Sequence, residues 1–178
     1  MSSRRPRILE KLKARPYFVR YVLGYLAALI VLVFTKTKVK GERNIPRSGP
    51  FVVTINHFCY VDPIFVMKAI KRPISFLAAS DQTIKWYFIW APLIYGFIPT
   101  NRKVLAPSTI REAKRALKRG EVLGVFPEGT STSTKLRQAK GGAAYLSSIT
   151  QVKIVPMGVS GLENIWSKIF KGVRPRVR

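Results

Sequence analysis

Apolar and polar positions change rhythm at a clear point in this chain. The uncharged stretch Tyr21 to Phe34 holds fourteen residues, or eighteen when carried back through Arg20 to Tyr17. Crossing about 30 Å of hydrocarbon takes about 20 apolar residues, so the stretch is borderline for spanning. Arg4, Arg5, Arg7, Lys11, Lys13 and Arg15 precede it, and Lys36, Lys38 and Lys40 follow. Both flanks are basic, so the positive-inside rule selects no orientation and both ends can stay on the cytoplasmic side. Residues 1–37 therefore read as an interfacial or re-entrant membrane anchor, ahead of a single span. A cleaved signal peptide is disfavoured, because no small-residue cleavage site follows Phe34.

From residue 38 to 178 the pattern alternates between two periods. Phe51 to Ile55 is a short, β-branched apolar run, and it reads as a strand together with Ile74 to Ala79, Val122 to Phe126 and Lys153 to Met157. Pro63 to Ile70, Thr109 to Arg119 and Leu136 to Ile149 read as helices. Asp62-Pro63 is a helix-start signal, and Thr109 with Glu112 has capping-box spacing before a stop at Gly120. The second helix would bury Ile110, Ala113, Ala116 and Leu117 and turn Arg111, Lys114, Arg115, Lys118 and Arg119 outward. This alternation predicts an α/β domain, a mixed β-sheet covered by helices, preceded by the N-terminal helical segment. Ile84 to Ile98 is apolar almost all round, which reads as a core helix, with a second lipid-dipping surface as the functional version. Val173 to Arg178 alternates like a strand just beginning.

Composition narrows the partners. The net charge is +24, from 32 Lys and Arg against 8 Asp and Glu, which calls for an anionic partner: an acidic membrane surface, a phosphorylated small molecule or nucleic acid. A hydrophobic content of 47% excludes a disordered basic tail. A single cysteine, Cys59, excludes an internal disulfide and suits a reducing compartment.

The chemistry centres on Asn56-His57-Phe58-Cys59-Tyr60-Val61-Asp62-Pro63. Histidine titrates nearest neutrality, and a carboxylate on its far nitrogen fixes its tautomer. Five residues along one helix turn side chains about 140° apart, so His57 and Asp62 can meet only across a strand-to-helix corner. Two roles stay open for Asp62, capping the helix or orienting the imidazole, and two carboxylate oxygens allow both. Phe126-Pro127-Glu128-Gly129-Thr130 ends the third strand in a turn exposing backbone amides, where Glu128 is either incidental or a ligand contact. Gly96 to Arg102 runs an apolar segment into an arginine, able to grip a phosphate or simply to be solvated. Ile154-Val155-Pro156 alone reads as a buried strand.

In this order and at these intervals, the four pieces resemble the glycerolipid acyltransferase family of lysophosphatidic acid and glycerol-3-phosphate acyltransferases. The likeness covers about Lys38 to Gly161. Its specificity lies in joining His57-x4-Asp62 to Phe126-Pro127-Glu128-Gly129-Thr130 about seventy residues later. The resemblance implies acyl transfer from an acyl-CoA or acyl-carrier-protein thioester to a hydroxyl of 1-acyl-glycerol 3-phosphate, without metal or other cofactor. It implies His57 as base, Asp62 as its orienting partner, and Asn56, Arg102, Glu128, Gly129, Thr130, Lys140 and Pro156 as the substrate-binding set. Lys140 matches a lysine often found at that place in the family. The implied partners are lysophosphatidic acid and anionic membrane lipids at the cytoplasmic face, with no nucleic acid, and the 84–98 stretch could wall an acyl chain.

Three departures stand out. Ser131-Thr132-Ser133-Thr134 follows the glutamate motif where relatives carry arginine and serine. Pro99-Thr100-Asn101 precedes Arg102 where an acidic residue is common, and relatives usually continue beyond 178. Rival readings are an acyltransferase acting on another lysolipid or on glycerol 3-phosphate, a non-catalytic basic module for membrane or nucleic acid, and a hydrolase using Cys59 or Ser160. Gly158-Val159-Ser160-Gly161 lacks the full nucleophile elbow, and no phosphate-loop motif is present.

Overall fold

The computed structural model describes residues 13–79, 90–101, 105–129 and 137–178. Its elements in chain order are α1 (Tyr17–Phe34), β1 (Lys36–Thr37), β2 (Phe51–Ile55), α2 (Asp62–Ile70), β3 (Ile74–Ala79), α3 (Trp90–Tyr95), β4 (Ile98–Thr100), α4 (Pro107–Lys118), β5 (Val122–Val125), α5 (Gly142–Thr150), β6 (Ile154–Met157), α6 (Ile165–Phe170) and β7 (Arg176–Val177). Five strands form one sheet in the order β4-β3-β5-β2-β6, and β1 pairs with β7 in a second. The expected α/β layering is present, and every pairing among the described residues is parallel.

Alternate strand residues feed two cores, as a period of two requires. Phe51, Val53, Ile55, Ile74, Phe76 and Val122 pack with α2 and with Val31 of α1. Val52, Leu77, Leu123 and Val125 face Ala113, Ala116 and Leu117 of α4 and Ala143 and Leu146 of α5. Each edge strand carries a proline, Pro99 in β4 and Pro156 in β6. Proline lacks the donor that a central strand needs and also blunts an open edge. Pro156 lies opposite Thr54 of β2 and is exposed rather than buried.

Local helix signals were overruled in three places. Thr109 makes no capping box; its hydroxyl donates to the Pro99 carbonyl at 2.7 Å, and α4 starts two residues earlier on Pro107. Asp62 caps nothing on its own helix. The third expected helix begins at Gly142, because the Arg137 and Lys140 amides bond Glu128 and the Pro127 carbonyl instead. Residues 84–89 of the 84–98 stretch fall outside the described residues; of the remainder, α3 sends the Tyr95 hydroxyl to the Ile74 backbone at 3.0 Å.

α1 is 18 residues long, enough by length and composition to cross a membrane. At 1.5 Å per residue it measures about 27 Å. It does not stand clear of the domain, however. Arg20 is buried and donates to Glu121 Oε2 and Ser75 Oγ, each at 2.8 Å, at the amino ends of β5 and β3. Arg119 also donates to Glu121 at 2.8 Å. Burial pushes the Glu121 carboxyl up, but the hydrogen bonds from Arg119, Ser75 and Arg20 outweigh it and hold it below its ordinary value. From this anchorage α1 runs along α2 to the opposite end, where Arg174 bonds the carbonyls of Leu32 and Thr35. Its outward face shows Phe18, Tyr21, Tyr25, Leu29, Ile30, Leu32, Val33 and Phe34.

Candidate active site

Sheet register brings the two chemical motifs together. Thr54 of β2 lies opposite Val125 of the neighbouring β5, and His57 and Glu128 each follow three residues later. Both therefore emerge at the carboxyl ends of adjacent parallel strands, where such folds gather ligands. The His57 amide donates to Glu128 Oε1 at 3.2 Å. The imidazole lies against the Phe126 ring with centroids 4.3 Å apart.

His57 and Asp62 meet across the expected corner. Asp62 Oδ2 is 2.8 Å from His57 Nδ1 and accepts the backbone amides of Phe58 at 2.6 Å and Cys59 at 3.0 Å. Asp62 is fully buried, whereas the imidazole keeps 13% of its surface open. The carboxylate can only accept, so Nδ1 carries the proton and Nε2 is left as the basic nitrogen. This settles the open choice for Asp62: it closes the loop onto the histidine and leaves its own helix uncapped. Cys59 gives its thiol to Asp62 Oδ1 at 3.4 Å. Burial, with the Asp62 charge second, pushes that thiol up to about 12, which disfavours the nucleophilic thiolate near neutrality.

Glu128 is almost fully buried. Its second oxygen, Oε2, accepts the Arg137 amide at 3.2 Å, so the carboxylate buckles the 137–140 segment to the loop that carries His57. Gly129 turns this corner at φ 71°, in the left-handed region. Asn56 is held on both amide atoms: Nδ2 donates to the Val159 carbonyl at 2.8 Å and Oδ1 accepts the Val159 amide at 2.7 Å. Lys140 is exposed beside this segment. Arg102 and Thr130 lie outside the described residues. Among the described residues, no group of three His, Cys, Asp or Glu side chains is placed to hold a metal ion.

The Glu128 geometry yields a test. Glu128→Gln keeps one acceptor but turns an amide donor toward the other backbone N–H. Turnover should fall by up to roughly 10²-fold, the scale on which a 1 Å displacement of a reacting group acts. The KM for the acceptor should stay unchanged; steady-state kinetics showing a raised KM with full turnover would instead make Glu128 a substrate contact.

A family model described as Acyltransferase matches residues 36–160, the span that holds both motifs and all five strands of the main sheet. The chain belongs to the Acyltransferase family. Among curated relatives, the 1-acyl-sn-glycerol-3-phosphate acyltransferase of Bacillus subtilis is 30% identical over 126 residues, covering 70% of this chain and 62% of the relative. The 1-acyl-sn-glycerol-3-phosphate acyltransferase alpha of Mus musculus is 28% identical, covering 75% and 48%. The crystal structure of the 1-acyl-sn-glycerophosphate (LPA) acyltransferase PlsC from Thermotoga maritima superposes with a TM-score of 0.61 at 24% identity, covering 89% of this chain and 60% of that one. That likeness shows a shared fold. The chain spans about half to three fifths of the length of these relatives.

Two features of this Acyltransferase site were not singled out from the sequence. Phe126 opens the glutamate motif, so its place beside His57 was readable once β2 and β5 were known to be neighbours. Val159 has no such signal, because a backbone partner leaves no trace in residue type.

Proposed function

We propose that the chain transfers a fatty acyl group from a thioester donor to the free hydroxyl of 1-acyl-glycerol 3-phosphate, giving phosphatidic acid. The observation that carries this is the 2.8 Å contact between His57 Nδ1 and the buried Asp62 carboxylate. It leaves Nε2 as the acceptor of the hydroxyl proton. As that proton leaves, the hydroxyl oxygen attacks the thioester carbonyl. The tetrahedral intermediate then collapses with release of the thiolate, which takes the proton back from the imidazolium. The relatives' names support the acceptor.

Acyl-CoA or acyl-carrier protein serves as donor, with no further cofactor. We assign the acceptor phosphate to Arg102 and Lys140 as cations, and the glycerol to the turn of Gly129 and Thr130. Asn56 and Glu128 hold the walls, and the end of β6 at Pro156 closes one side. The protein works on the cytoplasmic face of an anionic bilayer. Its positive charge and the apolar outer side of α1 suit that surface, at about 1 kcal/mol per Lys or Arg near acidic lipid.

The deciding assay offers glycerol 3-phosphate and its 1-acyl derivative separately, with an acyl thioester, to the protein in mixed vesicles. Phosphatidic acid from the monoacyl acceptor is expected. Transfer to glycerol 3-phosphate alone, or release of free thiol with no ester formed, would overturn the assignment.

A further inference from the structure

α6 is a short helix with an unusual outer side. Ile165 is buried and Ile169 packs into the core shared with Val31 of α1. Trp166 and Phe170, four residues apart and so on one face, point away from it. Phe170 is 85% exposed, Val173 54% and Trp166 46%; this ranks Phe170 highest among the exposed large apolar residues described. An isolated exposed phenylalanine would need no explanation, but three large apolar groups within eight residues form a patch.

Charge and position say what the patch meets. Residues 164–178 hold Lys168, Lys171, Arg174, Arg176 and Arg178 and no acidic residue. The pairing of β7 with β1 adds Lys36 beside Arg176. Aromatic and aliphatic side chains ringed by cations suit an anionic bilayer interface. Arg174, bonded to the Leu32 and Thr35 carbonyls, brings Val173 to the end of α1 where Leu32, Val33 and Phe34 are exposed. The patch therefore continues the apolar side of α1.

This end of the molecule is also the chemical end. α6 follows the carboxyl end of β6, and Asn56, next to His57, clamps the connecting loop at Val159. Ser160 then exchanges backbone bonds with Arg178, at 2.8 and 3.0 Å. Gly161 sits at φ 88°, so close under the Arg176 carbonyl that any side chain would collide with it.

We propose that Trp166, Phe170 and Val173 insert into the anionic bilayer as a second contact beside α1, turning the carboxyl ends of β2 and β5, with His57 and Glu128, toward the lipid. The proposal rests on the membrane reading above and adds the orientation to it. A lipid acceptor then reaches Nε2 without leaving the interface.

The test uses the full chain carrying Trp86→Phe and Trp90→Phe, so that Trp166 alone reports. Adding phosphatidylcholine vesicles that contain phosphatidylglycerol should shift its emission to the blue, and brominated acyl chains should quench it. In the otherwise unaltered chain, Phe170→Ser with Val173→Ser should weaken vesicle flotation about tenfold, on the scale of one buried apolar side chain. The same variant should keep its activity on a short-chain, water-soluble acceptor while losing it on vesicle-borne acceptor. Bound protein whose Trp166 emission stays at its aqueous position would overturn the proposal and leave α1 as the sole anchor. A blue shift without vesicles that grows with protein concentration would overturn it in favour of self-association. Absence of any flotation by the unaltered chain would remove the membrane reading as well.

Discussion

Replacing His57 with alanine is expected to lower acyl transfer to 1-acyl-glycerol 3-phosphate by at least ~100-fold, the usual scale for loss of a general base. The fold should survive, because Asp62 keeps the Phe58 and Cys59 amides and the ring is a partly open side chain at the end of the sheet. Asp62→Asn gives an independent reading of the same mechanism. An amide cannot accept from Nδ1–H and two backbone donors as well as a carboxylate does, so the imidazole loses its fixed tautomer and turnover should drop with little change in thioester KM. Rates are measured by following thiol release and phospholipid formation together. Undiminished transfer by the alanine variant would refute His57 as the base.

The second large effect lies at the other end of the sheet. Arg20→Ala removes the cation that α1 supplies to buried Glu121. Breaking a buried pair from one side costs about 3–5 kcal/mol. Arg119 and Ser75 still contact Glu121, which puts the expected loss near ~3 kcal/mol. At about 2–4 °C per kcal/mol for a chain of this size, the melting temperature should fall by about 6–12 °C. Replacing Arg20 and Glu121 together with leucine should recover much of that loss, since no orphan charge remains. The pair also sets a pH dependence. The Glu121 carboxyl is held below its ordinary value of 4.5, so its contribution is complete above that value and is lost as pH falls through the depressed one. Acid melts should show the unaltered chain losing stability below pH 4.5 and the alanine variant losing less of it. Equal acid sensitivity in both would contradict the linkage.

What could be read from the sequence followed physical range. β2 and β3 were bounded correctly because short, largely apolar runs mark buried parallel strands. The meeting of His57 with Asp62 followed from five residues of spacing and one corner. Thr109 and Asp62 carried good local capping signals, yet the Pro99 carbonyl and the His57 loop were better partners, and only tertiary structure brings those within reach. β1 has two residues, too few to show a period, whereas β7 falls inside the alternating 173–178 run. Glu128 was legible as unusual in a basic chain, but it accepts the backbone amides of His57 and Arg137, which no residue type discloses. Arg20 looked like an interruption in an apolar helix; its meaning depended on Glu121, 101 positions away.

That separation has a consequence for biogenesis. α1 leaves the ribosome about a hundred residues before the acid that neutralises its arginine, and β1 precedes β7 by a longer interval still. Until Glu121 emerges, the nascent chain offers a greasy rod with an unsatisfied guanidinium, which a nearby lipid headgroup can hold. On the proposed membrane reading, targeting to the bilayer comes before the domain closes, with the sheet assembling on a helix already in place.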